Sequence, residues 1–196
     1  MSETIDRPPP RQARAEEKRA KILKAAEQLL AERAPSDVTT KAVASKAGVP
    51  IGSVYRYFAN ADALLFALFD EFNSETLRTM AALPSPSADW HGEVAQVFSV
   101  IKAMHARHPA YGPLMAHLGR ADETDDNFLV LLAKRLSDFR TDLAPSQAQD
   151  IAAMVVGIVE AAERRFHALP VERRDNVFAE AQKATEAYLL CYLPEK

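Results

Sequence analysis

Thr39-Thr40-Lys41-Ala42-Val43-Ala44-Ser45-Lys46-Ala47-Gly48-Val49-Pro50-Ile51-Gly52-Ser53-Val54-Tyr55-Arg56-Tyr57-Phe58 decides the fold of this chain. Thr39 is placed to cap a short helix over Thr40 to Ala47, and Gly48 to close it, because a residue without Cβ takes positive φ at low cost. A second short helix is expected from about Ile51 to Phe58. Val43, Ala44 and Ala47 on the first helix and Val54 and Phe58 on the second form a shared inner face, and the two alanines allow close approach. The pattern is a helix-turn-helix, whose second helix can enter a DNA major groove with its N-terminal residues leading.

Turning Val54 and Phe58 inward leaves Gly52, Ser53 and Arg56 outward, with Tyr55 on the flank. Arg56 suits bidentate pairing with guanine O6/N7, and Ser53 suits base edges or phosphate. Gly52 lets the backbone come close, and Ile51 can meet a thymine methyl if it faces outward. Tyr55 and Tyr57 carry hydroxyls within reach of phosphates, which position a protein without reading sequence. No acidic residue occurs from Val38 to Ala61. The same pattern also describes two helices that merely pack together, with tyrosines and arginine decorating an amphipathic surface.

The flanking sequence is helical throughout. Ile22, Ala26, Leu29 and Leu30 recur on one face of a segment from Arg14 to Arg33. Asn60 can cap a longer helix carrying Leu64, Leu65, Leu68 and Phe69 and ending before Pro84. Further helices are expected at about 88–107, 110–118, 123–142, 146–168 and 172–193, with Ser146 and Gln149 forming a capping box. No segment alternates with period two, so the chain is expected to be all-α. The division expected is an N-terminal arm over 1–14, a DNA-binding domain over 15–75 and a helical body over 76–196.

Composition agrees with a globular protein. Of 196 residues, 48% are hydrophobic and 26% charged, while 6 glycines and 12 prolines argue against phosphate loops and turn-rich β architectures. The single cysteine excludes an internal disulfide and a Cys-based zinc finger. The polar, proline-rich start has no apolar core of a signal peptide, and the longest apolar run, Ile151 to Val159, is too short for a membrane span. A cytoplasmic protein with no membrane partner is expected. Residues 1–62 hold 11 Lys/Arg against 8 Asp/Glu, whereas residues 63–196 hold 13 against 19. A basic front on an acidic body suits a front that meets a polyanion.

From about Glu17 to Leu68 the chain resembles the DNA-binding domain of the tetracycline-repressor (TetR) family of bacterial transcription regulators. The resemblance rests on Ile22-Leu23, Ala25-Ala26, Val43-Ala44, Ala47-Gly48-Val49, Gly52-Ser53-Val54-Tyr55, Tyr57-Phe58 and Leu64-Leu65. It implies a three-helix DNA-binding head, a helical body for ligand binding and dimerisation, and repression of a double-stranded DNA operator relieved by a small molecule. It places Thr39, Tyr55 and Tyr57 against phosphates and Ile51, Gly52, Ser53 and Arg56 at the reading head, with Thr40 and Lys41 beside them. The family usually has a lysine near the start of the fourth helix; here Ala61 and Asp62 stand there. Losing one phosphate contact per subunit lowers affinity and flattens its salt dependence. Arg7, Arg11 and Arg14 offer a compensating basic arm.

In the body, Ile151 to Val159 is apolar all round, and Val177, Ala181, Ala184, Tyr188 and Tyr192 form a stripe. Two such helices can pair with their copies in a homodimer, or bury each other within one subunit. Candidates for a small-molecule chamber are Trp90, Phe98, Met104, Tyr111, Met115, Phe128, Phe139 and Met154, which favour an apolar or aromatic effector. Each also suits plain core. His105 and His108 have a metal-compatible spacing but no third ligand, so surface or capping roles are expected and no metal. Glu160 and Arg164 suit a helix ion pair, and Cys191 a small apolar contact. No nucleophile–base pair is evident, so neither an enzyme nor a cofactor is expected. The alternatives are a ligand-independent architectural or cell-division factor on the same fold, and a helical carrier or enzyme that kept the head.

Overall fold

The computed structural model describes residues 10–84, 89–118 and 126–193. Its helices are α1 (Pro10–Leu30), α2 (Thr40–Ala47), α3 (Ile51–Tyr55), α4 (Ala61–Ala81), α5 (Trp90–Arg107), α6 (Tyr111–Leu118), α7 (Asp126–Phe139), α8 (Pro145–Ala168) and α9 (Val171–Leu189). No strand occurs among the described residues. The chain forms two compact units that divide between Asp70 and Glu71, within α4.

The first unit is built around α1, α2 and α3. Ile22, Ala26, Val43 and Val54 are fully buried, and Leu29 and Phe58 nearly so. Thr39 is extended, and its Oγ1 accepts the Ala42 N–H at 3.2 Å, satisfying a donor that the first turn leaves unpaired. At the other end Gly48 has φ 62° and ψ 40°. Its N–H bonds to the Ser45 carbonyl while the Val49 N–H reaches back to the Ala44 carbonyl at 3.0 Å, a Schellman closure. Asn60 Oδ1 accepts the Ala63 N–H at 2.7 Å and starts α4.

Several helix limits differ from those expected. α1 starts at Pro10, so residues 10–14 of the expected arm are helical, while residues 1–9 lie outside the described residues. The same holds for residue 88 and residues 123–125, expected at the heads of two body helices. α3 stops at Tyr55 because the Val54 carbonyl accepts both the Tyr57 and Phe58 N–H groups, tightening the last turn. Ser146 caps nothing: α8 already begins at Pro145, with Ala144 as the flanking residue and no side-chain cap. Proline fits that first position, where its missing N–H costs nothing.

In the second unit α8 packs on α6, α7 and α9, and α5 packs on α9. The apolar run of α8 is buried on one side only. Ala148, Ile151, Ala152, Val155 and Val156 face the core, whereas Ala153, Met154 and Gly157 are exposed. The buried stripe of α9 is Phe178, Ala181, Thr185 and Leu189; of the expected stripe Ala181 is buried, while Val177, Tyr188 and Tyr192 are half-buried against the core. Ala184 is exposed. Cys191 is exposed as well, rather than an apolar contact.

Neither histidine lies on the surface. His108 is the C-cap of α5, as expected, but it is buried and stacked on Phe72 with centroids 4.1 Å apart. His105 is a core residue. Its Nε2 lies 3.1 Å from Glu163 Oε1, and Tyr111, Phe166 and Phe178 surround the ring at 5.0 to 5.3 Å. The carboxylate of α8 satisfies a ring nitrogen that burial would otherwise orphan. No cluster of three metal-ligating side chains occurs among the described residues.

Glu75 joins the second half of α4 to the end of α5, taking hydrogen bonds from Arg107 and from His108 Nε2 at 3.3 Å. Burial pushes its carboxyl up, but the Arg107 and His108 partners outweigh it and hold it below the usual 4.5. The contribution of a carboxylate so depressed is complete above that value and disappears as pH falls through the folded value. Glu75→Gln should therefore lower the melting temperature at pH 7, by about 1 kcal/mol or less of stability. Thermal unfolding of both proteins over a falling pH series should show the difference shrink towards the acid end. A difference independent of pH would mean that the ion pairs of Glu75 do not stabilise the fold.

Candidate nucleic-acid interface and effector chamber

The outer surface of the helix-turn-helix gathers the residues singled out in the sequence, with one exception. Ile51 is 42% exposed and Tyr55 55% exposed, and Gly52, Arg56, Thr39 and Lys41 are exposed too. Ser53 and Tyr57 are half-buried, between that surface and the Val54–Phe58 core face. The exception is Thr40, which is buried; its hydroxyl donates to the Tyr55 hydroxyl oxygen at 3.2 Å. Thr40 thus holds Tyr55 from below rather than sharing its surface. With its oxygen accepting from Thr40, Tyr55 keeps its own O–H proton for an outside acceptor, the geometry a phosphate contact needs. Thr39 is similarly placed, since its oxygen caps α2 while its proton is uncommitted.

Charge follows the same division. Lys46 is turned away from this surface to Glu32, at 2.9 Å. That hydrogen bond and charge hold the Glu32 carboxyl below its usual range. Lys41 and Arg56 take part in no ion pair among the described residues. They remain as cations for a polyanion.

Residues 22–68 match the family model for bacterial regulatory proteins of the tetR family. These residues are thus similar to the N-terminal domain of that family. The matched residues run from the buried Ile22 of α1 through the helix-turn-helix to the buried Leu68 of α4. No curated protein matches the sequence. Solved TetR-family structures share the fold over most of the length. A regulator from Pectobacterium atrosepticum is 20% identical, with TM-score 0.75 over 93% of this chain and 97% of its own. One from Streptomyces coelicolor is 23% identical, with TM-score 0.69 over 88% and 97%. The fatty acid degradation regulator FadR from Bacillus halodurans is 18% identical, with TM-score 0.68 over 88% and 94%. The chain therefore has both the helix-turn-helix head and the helical body of that fold.

The second unit holds an apolar cavity of about 50 Å³ bounded by α5, α7, α8 and α9. Of the eight chamber candidates, Trp90, Phe98 and Phe139 line it. Met104 lines instead a more polar recess of about 130 Å³ between α4 and α5, beside Glu75 and Thr79. Tyr111 packs edge-on against His105, Met115 is buried in α6, and Phe128 is half-buried against the core. Met154 lines neither recess: it is 55% exposed, because Ile151 and Val155 occupy the inner side of α8.

Three cavity groups escaped the sequence reading. Arg135 and Glu93, on α7 and α5, form a buried ion pair in its wall, and Arg135 Nη2 also donates to the Pro84 carbonyl at 2.8 Å. Thr185 is 1% exposed and its hydroxyl has no hydrogen-bond partner. Arg135 and Glu93 lie 42 residues apart, so no local spacing announces them. Thr185 becomes legible only once the buried phase of α9 is known.

No helix among the described residues is long and apolar enough to cross a membrane.

Proposed function

We propose that the protein is a ligand-responsive repressor that binds a palindromic DNA operator as a homodimer and is released by a small apolar or aromatic effector. The observation that carries the reading is the exposed arc of Ile51, Gly52, Tyr55 and Arg56 over a fully buried Val54, with Lys41 beside it. Arg56 and Ser53 read base edges, while Thr39, Tyr55, Tyr57 and Lys41 take phosphates. Gly52 admits the helix backbone to the groove, for nothing lies within 4 Å of where a Cβ would stand.

The dimer surface in this reading is the exposed side of α8 and α9. Ala153, Met154, Gly157 and Ala161 follow helical spacing on α8, and Ala184, Ala187, Leu190 and Cys191 do so at the end of α9. Small residues let paired helices approach closely, and Met154 and Leu190 supply apolar area. A two-fold axis through such a bundle matches the symmetry of an inverted-repeat operator. An effector in the body acts only by favouring one of two states of the dimer, through different affinity for each.

Fluorescence anisotropy with duplexes from the DNA upstream of the protein's own gene tests the reading. Binding should weaken linearly in log–log terms as salt rises. No binding at low salt would favour the helical carrier or enzyme. Within this assay Thr40→Val releases the Tyr55 hydroxyl without touching the surface. Affinity should fall about threefold to tenfold, equally on all sequences, since the change loosens a phosphate contact and leaves the base readout intact. Weakening at one base pair only would instead make Tyr55 a reader of sequence.

A further inference from the structure

The body cavity contains a polar contradiction. Its walls are apolar except for the Arg135–Glu93 pair and Thr185. The ion pair is internally neutral, and Arg135 spends a further donor on Pro84. The Thr185 hydroxyl, buried to 1% exposure, has no partner at all. A hydroxyl stranded among apolar atoms costs free energy that an isosteric valine would not. A threonine in mid-helix can return its proton to a carbonyl one turn back, as Thr76 does to Phe72 at 2.9 Å. Thr185 does not, and its place in the wall points to a partner that arrives from the cavity.

We propose that Thr185 is the recognition group of the effector site, and that its ligand is a small neutral molecule with an apolar body and one hydrogen-bonding oxygen, such as a phenol, alcohol or ketone. The proposal rests on the reading of the body as the effector-binding unit and names the chemistry of that site. Size and charge narrow the class. A cavity of about 150 Å³ admits benzene, and this one, with the half-buried Phe139 in its wall, offers about 50 Å³. It therefore takes the oxygen-bearing end of one ring or of a short chain. A charged ligand is disfavoured because Arg135 and Glu93 already satisfy each other, so a carboxylate or ammonium would enter desolvated and unpaired. Leu136, Val97 and Phe98 hold the apolar body, and Thr185 selects molecules that bring an oxygen to it.

Phenol and toluene differ only by hydroxyl for methyl, as threonine and valine do, so four combinations isolate the contact. Calorimetric titration of the full-length protein should give tighter binding of phenol than of toluene. Thr185→Val should weaken phenol about threefold to tenfold, leave toluene unchanged or tighter, and raise the melting temperature of the free protein. Equal change for both ligands, no binding of phenol, or a lower melting temperature in the variant would overturn the assignment. Binding of operator DNA by the same samples keeps the outcomes separate. Phenol without effect on a protein that still binds DNA removes this ligand class and leaves the regulator reading standing.

Discussion

Gly157→Glu should leave each subunit folded, convert the dimer to monomers and abolish operator binding. The exposed position of Gly157 on α8 has nothing within 4 Å of a would-be Cβ, so the subunit itself accommodates a side chain. In the proposed interface the same carboxylate is buried without a partner, at a cost of about 3–5 kcal/mol. That weakens dimer affinity by at least about a hundredfold. Operator binding follows, because one head gains only half of the contacts. Sedimentation should show monomers with an unchanged far-UV spectrum. A wild-type protein that sediments as a monomer at micromolar concentration, or a dimeric variant, would place the interface elsewhere.

The second large effect is at the reading head. Arg56→Ala should cost about 1–3 kcal/mol on the best site and relax the preference at one base pair of each half-site. Arg56 is exposed on the turn that ends α3, and truncating it disturbs no buried packing, so stability should be unchanged. Competition titrations against duplexes substituted one pair at a time distinguish the roles. Uniform weakening across all duplexes would make Arg56 a phosphate contact only.

The head is legible in the sequence because its signals are local. A cap at Thr39, a positive-φ glycine at position 48 and the spacing of Val43, Ala47, Val54 and Phe58 each act over a few residues, and each is found in place. Thr40 misleads because capping and groove contact favour the same residue types; only the fold reveals that its hydroxyl turns in to Tyr55. The body is less legible for a physical reason. Its helices carry apolar residues on more than one side, so sequence periodicity leaves their phase open. Met154 reads as chamber lining and is exposed, while Thr185 carries no signal in the sequence and is buried. Pairings such as His105 with Glu163 span 58 residues and depend on how helices meet, which no local pattern encodes.

Ala61 and Asp62 stand where the resemblance implies a phosphate-binding lysine. In the proposed reading Lys41 and Arg56, the exposed cations of the helix-turn-helix that are in no ion pair among the described residues, give a modest number of phosphate contacts per head. On the proposed reading, affinity should then lean on base readout and on the doubling of contacts that a dimer supplies. Binding-site selection from a random duplex library with the full-length protein shows whether a two-fold dimer reads DNA through α3. The selected duplexes should be enriched in an inverted repeat with half-site centres about one helical turn, or a whole multiple of it, apart. Enrichment of a single half-site without symmetry, or of no sequence at all, would contradict this mode of binding.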